Sequence, residues 1–156
     1  MIVRQATQAD LGDIAVVHRQ SIRELCKAHY SAEQLDAWTA ALQAGAYSKL
    51  LSTHELLVAE EDGELLGFCV LDSREGFLNA TYVSPTASRR GVGRSLVRAV
   101  EAVARTKGLS QLRLNATLNA ITFYQNLGYA RGDLAHNRLP TGVDLPCVTM
   151  RKALTG

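Results

Sequence analysis

The segment Ser88-Arg89-Arg90-Gly91-Val92-Gly93-Arg94-Ser95-Leu96 holds the residues whose types and spacing are best suited to chemistry. Its two glycines stand where an apolar run, Phe77 to Val83, gives way after Ser84-Pro85 to a helical periodicity starting at Gly93. The first turn of a helix offers backbone N–H groups with no intrahelical acceptor, at the positive end of the helix dipole. Glycine lets an anion approach those groups, because no side chain intervenes. Arg89, Arg90 and Arg94 add cationic charge suited to a pyrophosphate or ribose phosphate. The pattern predicts an anion site for a phosphorylated cofactor; the alternative is a tight strand–helix junction beside solvated arginines. A P-loop is excluded, since no Gly-Lys pair is followed by Ser or Thr. A dinucleotide fingerprint is excluded as well. Leu96 occupies the place of a small residue, and Leu112-Arg113-Leu114-Asn115 supplies no acid for a ribose.

The elements that must position this turn are legible in the surrounding pattern. Met1 to Ala6 alternates as a first strand. Thr7 and Asp10 mark a helix start, followed by Leu11, Ile14, Ala15, His18, Ile22 and Leu25 at helical spacing. Ser31 and Gln34 form a capping box for a second helix carrying Leu35, Trp38 and Leu42, with Gly45 as its expected stop. Glu55 to Glu60 and Leu65 to Leu71, separated by Asp62-Gly63, predict a β-hairpin, and Phe77 to Val83 a further strand. From Gly93 to Lys107, Leu96, Val100 and Val103 fall on one side of a helix; Arg94, Arg98, Glu101 and Arg105 fall on the other. Gly108 closes it. Strands are then expected at Gln111 to Asn115, Tyr129 to Ala135 and Pro146 to Arg151, with a helix at Leu118 to Leu127. This order predicts a mixed α/β (α+β) layer, helices on a central sheet, in one domain over residues 1–156.

Composition narrows the partners. Seventeen basic against fifteen acidic residues leave a net charge of +2, and 47% hydrophobic with 21% charged residues is ordinary for a globular domain. No protein-wide field for nucleic acid exists, and Arg89, Arg90, Arg94 and Arg98 lack interleaved aromatics, so no nucleic-acid partner is expected. Cys26, Cys69 and Cys147 are odd in number, far apart and set among apolar neighbours, which suggests reduced core thiols in a reducing, cytoplasmic setting. Without Cys-x-x-Cys or His-x-x-x-His spacing no metal is expected. No apolar run approaches a membrane span, so no membrane partner is expected either.

The glycine turn resembles the coenzyme A loop of the GNAT superfamily of N-acetyltransferases, whose pattern is Arg/Gln-x-x-Gly-x-Gly/Ala. Here it maps onto Ser88-Arg89-Arg90-Gly91-Val92-Gly93, with Ser88 departing from the usual first residue and Arg89 beside it. The small hydroxyl residue before Arg-Arg-Gly is similar to one bacterial branch. Asn115-Ala116-Thr117 through Ala120-x-x-Phe123-Tyr124-Gln125-Asn126-Leu127-Gly128-Tyr129 is similar to the family's Ala-x-x-Phe-Tyr-x-x-x-Gly-Phe segment, and His29-Tyr30-Ser31-x-x-Gln34-x-x-Ala37-Trp38 to the same branch. The resemblance implies a mostly antiparallel sheet of six to seven strands with about four helices, splayed between the fourth and fifth strands. It also implies direct transfer of an acetyl group from acetyl-CoA to a primary amine.

On that resemblance Tyr124 is the general acid for the leaving thiolate; packed on the sheet, it would be an ordinary half-buried aromatic. Ser88, Arg89, Arg90, Gly91, Val92, Gly93, Arg94 and Ser95 would bind acetyl-CoA, with the main chain of Tyr82 and Val83 pairing along its pantetheine arm. Asn119 is a further contact or a helix cap. No base is evident. Glu75, working through water, and His29, in the loop between the first helices, are the candidates, while His18 falls on an apolar face as a core histidine. Tyr30 and Trp38 would shape the acceptor pocket or pack inside the helix interface. The acceptor is a small-molecule or protein amine, and a homodimer is kept open. The alternative function is a non-catalytic acyl-CoA sensor.

Overall fold

The computed structural model describes residues 1–42 and 44–154. Among these residues seven strands form one sheet. Its order is β1 (Ile2–Gln5), β2 (Glu55–Glu61), β3 (Glu64–Asp72), β4 (Phe77–Val83), β5 (Gln111–Thr117), β7 (Asp144–Ala153) and β6 (Ala130–Arg138). Five α-helices flank it: α1 (Leu11–Leu25), α2 (Ala32–Ala40), α3 (Ala44–Thr53), α4 (Val92–Thr106) and α5 (Ile121–Asn126). Every neighbouring pair of strands is antiparallel except β4 and β5. The sheet is therefore the mixed, mostly antiparallel one expected.

Local sequence explains most elements. Asp62 and Gly63 both take positive φ, 52° and 78°, which is the two-residue turn that matches the twist of a hairpin. β3 is buried from Leu65 to Leu71 because both of its faces are covered. On one face α4 packs Leu96, Val97, Val100 and Ala104 against Leu57, Cys69, Leu71, Leu112 and Leu114. On the other, α1 and α3 pack Ile14, Val17 and Tyr47 against Leu56, Val58, Phe68 and Val70. Each such fully buried aliphatic side chain contributes about 1.5–3 kcal/mol.

Two expectations are corrected. Gly45 does not stop α2; it lies inside α3, a helix not expected from the sequence. Tyr47, Leu50 and Leu51 recur at helical spacing, and packing of Tyr47 (5% exposed) on the sheet outweighs the local glycine signal. Glu101 does not join the polar side of α4 but is 4% exposed. It accepts a hydrogen bond from the Tyr129 hydroxyl at 2.8 Å and pairs with Lys152 Nζ at 3.0 Å, so residues from the loop before β6 and from β7 satisfy it. His18 turns to the apolar side of α1 but is only partly buried, packed at the edge of the core rather than within it. Its Nδ1 lies 2.8 Å from the Tyr47 hydroxyl, its ring is 4.4 Å from that of Tyr82, and burial lowers its pKa to about 4.

The feature that positions the site is a gap in the sheet. β4 and β5 pair only through Phe77 with Arg113 and Leu78 with Leu114, then separate. The register of β3 and β4 slips beside Asn79, and such a bulge bends the strand.

Candidate active site

Gly91, at φ +80°, turns the chain into α4, and no side chain caps the helix. Ser95 N–H donates to Gly91 O, so the N–H groups of Val92, Gly93 and Arg94 are left without intrahelical acceptors. Gly93 faces Phe123 so closely that an added Cβ would lie 3.1 Å from its ring. Here glycine serves a close approach rather than an unusual φ.

This helix entrance opens onto a cavity of about 510 Å3 bordered by Ser88, Arg89, Gly91, Val92, Gly93 and Arg94 at one end. The cavity runs to Thr81, Tyr82, Val83, Thr117, Asn119 and Tyr124, with Cys26 on the α1 side. Among the described residues Asn119 Oδ1, buried on its wall, has no hydrogen-bond partner, and the buried Thr81 hydroxyl has only the Tyr124 phenol beside it. Buried groups are seldom left without a partner, and the Asn119 oxygen fits a polar ligand along this wall. Arg90 does not border the cavity; its guanidinium is held by Glu61 Oε2 at 2.6 Å. Ser95 also lies outside its lining.

The main chain of β4 is divided between its two neighbours. Ser84 N–H donates to Leu66 O, and the Tyr82 carbonyl oxygen faces Gly67, so the main chain of Tyr82 serves β3. By the two-residue alternation of a strand, the N–H and C=O groups of Thr81 and Val83 turn to the gap. Of the pair named from the sequence, Val83 offers its main chain to the cavity, whereas Tyr82 borders it with Thr81 supplying the other free groups. The residue identities gave no signal for this; only the register with β3 does.

Tyr124, 6% exposed, lies at the wall of the cavity in α5, and burial raises its phenol to about 12. It therefore stays protonated at neutral pH and enters any chemistry as a donor. Burial likewise raises the Cys26 thiol to about 12, which removes it as a nucleophile, and all three cysteines are buried and free.

A second cavity of about 320 Å3 meets the first at Tyr82 and Thr117, which border both. Tyr30, Trp38, Phe77, Asn79, Asn115 and Asn137 line it. Tyr30 and Trp38 are buried with ring centroids 5.4 Å apart, so they shape this wall and pack the helix interface at once. The Tyr30 hydroxyl donates to Pro146 O at 2.6 Å and accepts from Leu118 N–H at 3.1 Å. It thereby ties β7 to the short turn, Leu118–Ala120, that leads into α5 and Tyr124.

Glu75 and His29 border neither cavity. Glu75 is exposed in the turn before β4, where its carbonyl oxygen accepts from Arg113, and His29 is exposed in the turn after α1. His136, which the sequence reading did not single out, borders the second cavity. Its pairing with Pro146 turns its side chain to the opposite face from Ala135 and Asn137. Among the described residues no carboxylate borders either cavity, no cluster of His, Cys, Asp and Glu could hold a metal ion, and no helix is long and apolar enough to cross a membrane.

Comparison with known proteins agrees with this arrangement. A family model described as an acetyltransferase (GNAT) domain matches residues 26–154. The chain is similar to a thialysine N-epsilon-acetyltransferase of Bos taurus, 31% identical over 147 residues that cover 82% of this chain and 83% of that protein. It is also similar to the peptidyl-lysine N-acetyltransferase YiaC of Escherichia coli (strain K12), 39% identical over 90 residues, 55% of this chain and 59% of that one. Among solved structures, a GCN5-related N-acetyltransferase from Rhodopseudomonas palustris matches with a TM-score of 0.92 at 29% identity, over 97% of this chain and 94% of that one. PaiA N-acetyltransferase from Thermoplasma acidophilum, in complex with coenzyme A, shares the fold with a TM-score of 0.77 at 19% identity, over 97% and 98% of the two chains. These relatives are transferases, which sets the enzyme above the non-catalytic sensor. A sheet opened between β4 and β5, an uncapped helix entrance at its mouth and these relatives lead to one conclusion: the chain belongs to the GNAT acetyltransferase family and is an acyltransferase.

Proposed function

We propose that the protein transfers an acetyl group from acetyl-CoA to a primary amine by direct attack, the donor entering from the larger cavity and the acceptor from the smaller. The observation that carries this reading is that the two cavities adjoin, sharing Tyr82 and Thr117 in their walls, in the only gap of the sheet among the described residues. The N–H groups of Val92, Gly93 and Arg94, with Arg89 and Arg94, suit the pyrophosphate. Thr81 and Val83 offer main-chain groups to the pantetheine arm, and an N–H there suits the charge that develops on the thioester oxygen. Neighbours of known structure in complex with coenzyme A support acetyl-CoA as the donor.

Acetyl-CoA supplies a thioester. As the amine nitrogen bonds to its carbonyl carbon and the carbon–sulfur bond breaks, nitrogen sheds one proton and sulfur gains one. In this reading Tyr124, at the wall of the larger cavity, donates to sulfur. A buried phenolate is costly, as the raised pKa shows, so the phenol works best as a relay that is refilled by the proton nitrogen loses. With no carboxylate beside the acceptor, the neutral amine comes from the solvent equilibrium rather than from a fixed base. The same lack of carboxylates disfavours acceptors with several positive charges, such as polyamines, and favours an amine carrying a single ammonium.

Tyr124→Phe tests the mechanism. Thiol release should fall about tenfold or more while the dissociation constant for acetyl-CoA holds. Undiminished turnover would take Tyr124 out of the reaction.

A further inference from the structure

Beyond the acceptor cavity the open face of the sheet continues as another depression of about 380 Å3, which shares Phe77 and Asn115 with it. Arg113, Arg131 and Arg151 border this extension, together with a single carboxylate, Asp133. Arg113 stands directly opposite Arg151 in the β5–β7 register, so both side chains leave the same face. Like charges in that position repel. Among the described residues none of the three arginines forms a salt bridge that would relieve it. Arg113 is instead fixed at the junction of the two depressions. It donates to Glu75 O at 3.0 Å and lies 5.9 Å from the centroid of the Phe77 ring. β6 bulges between Arg131 and Leu134, where Asp133 N–H donates to Thr149 Oγ1 at 2.8 Å; Arg131 borders the depression but pairs with Met150, so its side chain leaves the face opposite to that of Arg113 and Arg151.

An uncompensated pair of guanidinium groups at the end of an acceptor groove is stabilised by an anion from outside. The geometry points to an anion subsite at Arg113 and Arg151: the acceptor is an amine whose far end carries a carboxylate. This inference rests on the acetyl-transfer reading above. The spacing restricts the acceptor further. Thr117, where the two cavities meet, is four residues from Arg113 on β5, about 13 Å along the strand less the reach of the guanidinium. An amine and a carboxylate on one carbon cannot span it. An extended ω-amino acid can, and so can a peptide whose acidic side chain lies about three or four residues from the acetylated amine.

The test is binding by calorimetry in the presence of coenzyme A, which supplies no acetyl group and so permits no turnover. The ligands are a peptide with a free N-terminus and Glu at its fourth position, the same peptide with Gln there, and 6-aminohexanoate. The wild type should bind the Glu peptide about tenfold more tightly than the Gln peptide. The Arg113→Gln/Arg151→Gln double variant should lose that difference, with coenzyme A affinity unchanged and the melting temperature unchanged or higher. Arginine-dependent binding of 6-aminohexanoate as well supports a small-molecule source of the carboxylate; dependence confined to the peptide supports a protein source. Equal affinity for the Glu and Gln peptides in the wild type, or a difference that survives in the double variant, overturns the subsite. Thiol release from acetyl-CoA with the same acceptors separates the two readings. Release without anion preference sinks the subsite alone. Anion-dependent binding with no release from any acceptor sinks acetyl transfer and leaves the subsite standing.

Discussion

Gly93→Ala isolates the helix entrance, because it changes the approach to the backbone donors without touching a charge. In the folded protein the new Cβ would lie 3.1 Å from Cε1 and Cζ of Phe123 and 3.5 Å from Val83 Cγ2. The first contact is tighter than packed side chains normally adopt, so the Phe123 ring must give by a few tenths of an ångström. Against that strain, alanine in place of glycine in a helix gains up to about 1 kcal/mol. Net stability should therefore change by less than about 1 kcal/mol in either direction. Ligand affinity should change far more. Phe123 and Gly93 both border the larger cavity, and on the proposed placement of the donor the methyl group intrudes on the approach of a phosphate to the Gly93 and Arg94 N–H groups. Losing one hydrogen bond to a charged group costs about 1.5–3 kcal/mol, which is about 10-fold to 150-fold in the dissociation constant for acetyl-CoA. Gly91→Ala is the matched control. Its Cβ would meet nothing within 4 Å, but its φ of +80° strains any side chain, so about 1–2 kcal/mol of stability should be lost. Titration calorimetry with acetyl-CoA and urea denaturation measure the two quantities. Should Gly93→Ala bind acetyl-CoA as tightly as the wild type, the α4 entrance does not hold the pyrophosphate and the placement of the donor is wrong.

Two further outcomes concern the scaffold. Lys152→Met leaves the buried Glu101 carboxylate with only the Tyr129 hydroxyl and should destabilise the protein by about 3 kcal/mol in urea denaturation, most of it recovered in Lys152→Met/Glu101→Gln; a loss under about 1 kcal/mol would show that water reaches Glu101. His18 titrates at about 4 in the folded protein, below its ordinary value of 6.5, so the unfolded chain takes up the proton first. Its contribution is complete above pH 6.5 and is lost as pH falls towards 4, on the order of 3 kcal/mol in all. The wild type should therefore lose more stability between pH 7 and pH 4.5 than His18→Leu does, and parallel curves would mean that the imidazole is already hydrated.

Some of this site was written in the local sequence. A glycine-rich turn between an apolar run and a helical period specifies an open helix N-terminus by itself, because glycine's freedom and the orphaned N–H groups are properties of the backbone. Asp62-Gly63 specifies its hairpin in the same way, and the spacing of His18 with Ile14 and Ile22 puts the imidazole on the buried face of α1. Periodicity tells which face of an element turns inward, but not what meets it there. So α3 escaped notice until the sheet supplied a partner for Tyr47, and Glu101 looked solvated until Lys152 and Tyr129 arrived from 51 and 28 residues away. The working surfaces belong wholly to the tertiary structure. Pairing with β3 decides that Thr81 and Val83, not Tyr82, present free main-chain groups, and the divergence of β4 from β5 sets two cavities side by side at Tyr82 and Thr117. The β5–β7 register sets Arg113 against Arg151 although 38 positions separate them in the chain. Residue types fix which groups are available; strand register and the gap between strands decide which of them face one another, since both depend on pairings that no local pattern encodes.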